Sequence, residues 1–153
     1  MEKHVVASAE LTIDAPADEV YRYLTNMYLQ ARFLPPPFYD FQVEEGGMGA
    51  GSVVSFKIKF AGGVQELRMK VTEPEPGRTL VQTDTGSRGL VRTFTVTPHG
   101  EQSLVNITSR FDGETGIAGI VEGLVAPRRL HRIYIEELTR LNTYAHEQRE
   151  CAQ

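Results

Sequence analysis

Over residues 52–60 the side chains alternate: Val54, Phe56, Ile58 and Phe60 are apolar, and Ser55, Lys57 and Lys59 between them are polar. A period of two marks a strand with one face buried and the other in water. The alternation resumes after Gly62-Gly63 with Leu67, Met69 and Val71. With those glycines as a two-residue turn, Phe60 faces Gln65, Ile58 faces Leu67, Phe56 faces Met69 and Val54 faces Val71. A second hairpin, turning at His99-Gly100, sets Val96 against Ser103, Phe94 against Val105, Arg92 against Ile107 and Leu90 against Ser109. Its opposite face carries Thr93, Thr95, Thr97, Asn106, Thr108 and Arg110. Such a one-sided antiparallel sheet needs a cover for its apolar face.

The rest of the chain supplies more strands and the cover. Residues 5–13 alternate as a first strand. Asp14, Pro16, Asp18 and Glu19 then offer a cap, a proline suited to a first turn and two carboxylates for the positive end of a helix that runs to about Leu24. A second short helix is predicted over residues 27–33, and Pro35-Pro36-Pro37 stops it. Residues 41–45 and 79–84 read as strands, the latter between Pro74-Glu75-Pro76-Gly77 and Thr85-Gly86-Ser87-Arg88-Gly89. From about residue 115 to residue 147 the apolar residues recur at helical spacing: Ile117, Ile120, Val121 and Leu124, then Leu130, Ile133, Tyr134, Leu138 and Leu141. Pro127 should bend this helix. The expected fold class is α+β in the order β-α-α-β6-α, one domain over residues 1–153, a length sufficient to bury one sizeable core.

Two local motifs carry a family resemblance. The run Leu11-Thr12-Ile13-Asp14-Ala15-Pro16-Ala17-Asp18-Glu19-Val20-Tyr21 is similar to the opening of cyclase/dehydrase-type members of the SRPBCC superfamily, and Gly46-Gly47-Met48-Gly49-Ala50-Gly51 resembles the loop joining their second and third strands. With the element order, the chain resembles that superfamily's helix-grip fold over nearly its whole length. START lipid-transfer domains, the birch-pollen-allergen family and polyketide cyclases share this fold. The resemblance implies a seven-stranded curved antiparallel sheet wrapped around the C-terminal helix. It also implies a cavity between sheet and helix with its mouth near the proline loop.

Composition narrows the partners. The chain is 41% hydrophobic and 24% charged with a net charge of -4, which fits a globular protein and gives no basic stripe for a nucleic acid. Cys151 is the sole cysteine, so a disulfide within the chain or a cysteine-based zinc site is excluded. His4, His99, His131 and His146 show no ligand spacing, and neither metal nor cofactor is expected. No stretch is long and apolar enough for stable membrane insertion, and no leader pattern opens the sequence, so a cytoplasmic protein is expected. The glycine run opens onto a strand, unlike a phosphate-binding loop that opens onto a helix. The oligomeric state is left open.

The candidate cavity lining is Phe56, Ile58, Leu67, Met69, Phe94 and Ile107 from the sheet, with Ile117, Val121 and Leu124 from the helix. Arg92 shares the apolar face with Phe94, Val105 and Ile107. There it would need an anion, either a ligand carboxylate, phosphate or enolate oxygen, or an acidic neighbour such as Asp84 met at the rim. Arg128 and His131 project within about 40° of the line through Ile117, Val121 and Leu124, and His131 would be an acid, a base or a hydrogen-bond donor. The bend at Pro127 shifts that phase toward Leu130, Tyr134, Leu138 and Leu141, which would leave both side chains at the mouth or in solvent. Gln65 and Ser109 are further polar candidates, and Phe33, Phe38 and Tyr39 would form either a gate or a packed loop.

The leading functional expectation is binding or transport of a small hydrophobic ligand, lipid-like, polyketide-like or isoprenoid-like. The alternatives are a cofactor-free polyketide cyclase or dehydratase using His131 with Arg92 or Arg128, and a protein-interaction module.

Overall fold

The computed structural model describes residues 4–60, 63–86, 89–111 and 127–152. The elements are β1 (His4–Ile13), α1 (Ala17–Thr25), α2 (Met27–Phe33), β2 (Phe38–Glu45), β3 (Val53–Phe60), β4 (Gly63–Glu75), β5 (Thr79–Asp84), β6 (Leu90–His99), β7 (Gln102–Phe111) and α3 (Pro127–Ala152). The strands form one curved, open antiparallel sheet in the order β1-β7-β6-β5-β4-β3-β2. The expected order of elements is therefore present, with α1 and α2 carrying the chain from one edge strand to the other. Alternate residues of the strands, among them Val54, Phe56, Met69, Val96, Val105 and Ile107, are buried against Leu130, Tyr134, Leu138, Leu141 and Ala145 of α3.

Both hairpins differ from the predicted register by two residues. Phe60 pairs with Gly63, Ile58 with Gln65, Phe56 with Leu67 and Val54 with Met69, so Gly63 is a strand residue rather than half of the turn. In the second hairpin His99 pairs with Gln102, which sets Val96 against Val105, Phe94 against Ile107, Arg92 against Ser109 and Leu90 against Phe111. The reversal is at Gly100-Glu101, and Gly100 has the positive φ (67°) that a tight hairpin turn requires at its first central position. A two-residue slip keeps every side chain on its face, so the apolar pattern alone could not separate the registers.

Three other expectations change at element ends. Asp14 does not cap α1, whose N-cap is Pro16; its carboxylate lies 3.4 Å from His146 Nε2, and its backbone N–H donates to Asn142 Oδ1 at 2.9 Å. This residue thus ties the end of β1 to the far end of α3. Asp84 shares the inner face with Met69, its cross-strand partner, but its carboxylate accepts from the N–H groups of Gly86 (3.1 Å) and Gly89 (3.2 Å) and closes its own turn. Helix α3 is described from Pro127 and continues to Ala152, beyond the expected end near residue 147. The helix expected over residues 115–126 and the bend at Pro127 lie outside the described residues. Among the described residues no helix is long and apolar enough to cross a membrane.

The glycine loop is a docking device for the α1-α2 corner. Gly49 N–H donates to Thr25 O (2.8 Å), and Gly47 O accepts from Met27 N–H (2.8 Å). A Cβ on Gly49 would come within 2.5 Å of Glu73 Oε2, and φ there is +65°. Glu73 holds the corner from the other side, accepting from Tyr21 Oη at 2.7 Å and from Ala50 N–H at 2.8 Å. Burial and the Glu73 carboxylate both push the Tyr21 hydroxyl well above its ordinary pKa, so it remains a donor. Gly49→Ala is expected to lower the unfolding free energy by roughly 2–4 kcal/mol, combining a left-handed backbone penalty with a displaced carboxylate. Gly77→Ala has a similar φ (+87°) and open space around it. It should cost only the backbone part, about 1 kcal/mol. Equal losses in urea titrations of the two variants would count against the Glu73 contact.

Candidate functional site

Three polar residues cross the middle of the inner face in one row. Arg92 of β6 pairs directly with Gln82 of β5 on one side and with Ser109 of β7 on the other. All three are buried, and Arg92 is 0% exposed. From α3, Glu137 reaches the guanidinium, with Arg92 Nη2 donating to Glu137 Oε1 at 2.6 Å. Gln82 Oε1 lies 3.4 Å from Arg92 Nη1, and its amide nitrogen donates to Gln30 Oε1 of α2 at 2.7 Å. The network therefore joins α2, β5, β6 and α3.

Aromatic rings enclose the cation. Arg92 Cζ is 5.0 Å from the ring centre of Phe94, 5.2 Å from that of Tyr134 and 5.9 Å from that of Phe38. Such ring faces attract a cation. Burial alone would lower the Arg92 pKa, but the adjoining Glu137 carboxylate and Tyr134 hydroxyl together outweigh it, and the guanidinium stays protonated, above its usual value. Burial raises the Tyr134 hydroxyl pKa; the Arg92 charge and the nearby Ser109 hydroxyl pull it back without cancelling the rise. Tyr134 thus stays a neutral donor beside the pair. Among the described residues, two buried groups of this row, Arg92 Nε and Ser109 Oγ, have no partner at hydrogen-bonding distance.

The other expected site residues divide into three groups. Phe56, Ile58, Leu67, Met69, Phe94 and Ile107 are all buried on the inner face. Arg128 and His131 are exposed, and His131 Nδ1 lies 2.7 Å from the Ser8 carbonyl oxygen of β1, apart from the Arg92 group. Ile117, Val121 and Leu124 lie outside the described residues. Arg92 faces inward, and its partner is Glu137 rather than Asp84, which serves its own turn. Gln65, on the same face, is half-buried near the β3-β4 turn. At the proline loop Phe33 and Phe38 are buried, Phe33 edge-on to Tyr144 (5.5 Å) and Phe38 edge-on to Phe56 (5.5 Å), whereas Tyr39 is exposed. The first two are packed parts of the core. Between α1, α2, β5, β6 and α3 a gap of about 10 Å³ touches Gln30, Gln82, Phe94 and Glu137, room for at most one water. Among the described residues no three side chains of His, Cys, Asp or Glu gather as metal ligands.

Glu137, Gln82 and Gln30 escaped the sequence reading, although Glu137 carried a usable signal. It stands seven residues after Leu130, within about 20° of it around the helix, so it lies on the apolar stripe. Arg128 and His131 lie about 160° and 100° from Leu130, on the outer side.

Removing one member of a buried ion pair strands the other. Arg92→Met and Glu137→Leu should each lower the unfolding free energy by about 3–5 kcal/mol, and the double variant should recover most of that loss. A urea double-mutant cycle checks this; losses that simply add would mean that the two groups are not coupled.

The comparisons with known proteins agree with the fold. Residues 4–146 match the family described as polyketide cyclase / dehydrase and lipid transport. No curated protein sequence matches the chain significantly. The solution structure of the KanY protein is similar at 28% identity and a TM-score of 0.81, covering 95% of this chain and 99% of that one. The Zhui aromatase/cyclase from Streptomyces superposes with a TM-score of 0.70 at 18% identity over 96% of each chain. The major latex-like protein of Panax ginseng does so with a TM-score of 0.64 at 14% identity, over 94% of this chain and 96% of that one. These last two likenesses are of fold alone. The family match runs through both edge strands, the Arg92 row and the part of α3 that carries Glu137, and on it the chain belongs to the polyketide cyclase / dehydrase and lipid transport family.

Proposed function

We propose that this protein binds a small hydrophobic molecule, lipid-like, polyketide-like or isoprenoid-like, against the inner face of the sheet. In this reading Phe56, Ile58, Leu67, Met69, Phe94 and Ile107, with Ile117, Val121 and Leu124, supply the apolar surface, and Arg92, Ser109 and Tyr134 hold the polar end. The observation that carries the proposal is the pair of buried donors, Arg92 Nε and Ser109 Oγ, on directly opposite residues of an apolar face and without an acceptor among the described residues. A buried unsatisfied donor costs about 1–3 kcal/mol, so two in one row are most simply explained by an acceptor that arrives with a ligand. The family's description includes lipid transport, which fits. Arg128 and His131, exposed on α3, fall outside the holding group.

A cyclase or dehydratase reading is favoured by one further observation. The carboxylate of Glu137 and the hydroxyl of Tyr134 flank Arg92, so a proton-moving group would be one of these rather than His131. If the ligand is transformed, Tyr134→Phe should lower kcat by at least tenfold, a larger loss than its loss of ligand affinity, while His131→Ala should leave both unchanged.

The first test is native mass spectrometry of the purified protein, with extraction of any released compound, followed by thermal unfolding against a hydrophobic panel. A ligand present at a hundred times its Kd should stabilise by about 2.7 kcal/mol, a rise in Tm of roughly 5 °C or more. An empty protein with no rise from any compound would exclude the binding reading.

A further inference from the structure

Resting on the binding reading above, we infer that the polar end of the ligand is an uncharged hydrogen-bond acceptor, an ester, ketone or amide carbonyl, and that the site rejects carboxylates. Among the described residues Arg92 is the only buried cation and Glu137 the only buried anion, and they lie 2.6 Å apart. The positive charge that would attract an anionic ligand is thus already matched from within the chain.

What the pair leaves unmet is hydrogen-bonding capacity. Among the described residues Arg92 Nε has no acceptor at hydrogen-bonding distance, and neither does Ser109 Oγ on the directly opposite residue of the next strand. A carbonyl oxygen has two lone pairs and can accept from both while adding no charge. A carboxylate would bring a second negative charge to a buried site with one cation, and burying an unpaired charge is far costlier than leaving a donor unmet. Among the described residues the charged and titratable side chains facing this spot are Arg92 from β6 and Tyr134 and Glu137 from α3. Gln82 from β5, Gln30 from α2 and Ser109 from β7 are neutral. None of them supplies a second positive charge.

The test uses the wild-type chain and three matched pairs that span the proposed ligand types: methyl dodecanoate and dodecanoate, methyl naphthoate and naphthoate, methyl farnesoate and farnesoate. Calorimetric titrations near pH 8 should show each ester that binds doing so at least tenfold more tightly than its acid. Between about pH 6 and pH 8 the acid's affinity should fall about tenfold per unit, because only its protonated form enters, and the ester's should stay flat. An acid that binds as tightly as its ester, or whose affinity ignores pH, overturns the inference. Glu137→Gln removes the internal counter-charge, so in that variant the acid of the pair should gain at least tenfold over its wild-type affinity. An unchanged preference in folded Glu137→Gln would overturn the role given to the ion pair, and the wild-type comparison decides the matter if the variant does not fold. Should none of the six compounds bind, the hydrophobic-ligand reading itself fails, an outcome distinct from a carboxylate binding well.

Discussion

A guanidinium sealed at the centre of a sheet persists only if a counter-charge reaches it, and here that charge comes from the terminal helix. Apolar packing against a curved sheet tolerates small rotations of a helix, because one aliphatic side chain covers a neighbour's site at modest cost. The Arg92-Glu137 contact does not. Turning α3 by one residue, about 100°, would withdraw the Glu137 carboxylate from Arg92 and strand both charges. The pair therefore fixes which face of α3 meets the sheet, and that same face carries Leu130, Tyr134, Leu138 and Leu141 into the core. Through Gln82 the network also reaches Gln30, so the position of α2 depends on the same group of side chains.

The two edges of the open sheet are handled differently. Helix α3 ties down β1 through Asp14 and the Ser8 carbonyl. The β2 edge has its register broken between Tyr39 and Gln42 and again between Val43 and Glu45, and Asp40 adopts a positive φ of 55°. Its charges are paired inward across the sheet, Asp40 with Lys57 at 3.0 Å and Glu44 and Glu45 with Arg68 at 2.5 and 3.2 Å. Exposed pairs of this kind add little stability, but an irregular, charged edge is a poor template for another strand. The sheet thus remains open without inviting edge-to-edge association, which leaves the concave side as the place where the chain's unusual chemistry is gathered.

Most of the architecture could be read from the residues because a strand's facing is a parity. The predicted hairpins were misaligned by two residues, yet Phe56, Ile58, Leu67, Met69, Arg92, Phe94 and Ile107 kept the inward orientation that the alternation gave them. The site was harder to read because it joins residues far apart in the chain, and parity says nothing about what a distant helix brings. His131 and Arg128 drew attention through a projection started at Ile117, upstream of Pro127, whereas the stripe counted from Leu130 puts Glu137 inside and those two outside. A buried arginine on a strand face calls for an acid on the covering element, and Glu137 stands on the apolar stripe of α3. Gln30 and Gln82 had no comparable signal, since a neutral amide is as ordinary on a surface as in a satisfied buried pair.

Cores are made most stable by apolar residues, and a buried ion pair is often no better than the hydrophobic pair that would fill its volume. A chain that keeps Arg92, Ser109 and Glu137 among Phe94, Tyr134 and Ile107 therefore departs from the arrangement that stability alone would favour. Local departures of this kind concentrate where a protein does something besides fold. Here the departure has a definite chemical character, because the charges cancel and two donors remain. The inner face thus combines a broad apolar surface with one small polar spot in which the two charges are matched. In the proposed reading, that combination would sort hydrophobic molecules by the placement of one oxygen rather than capture them by charge.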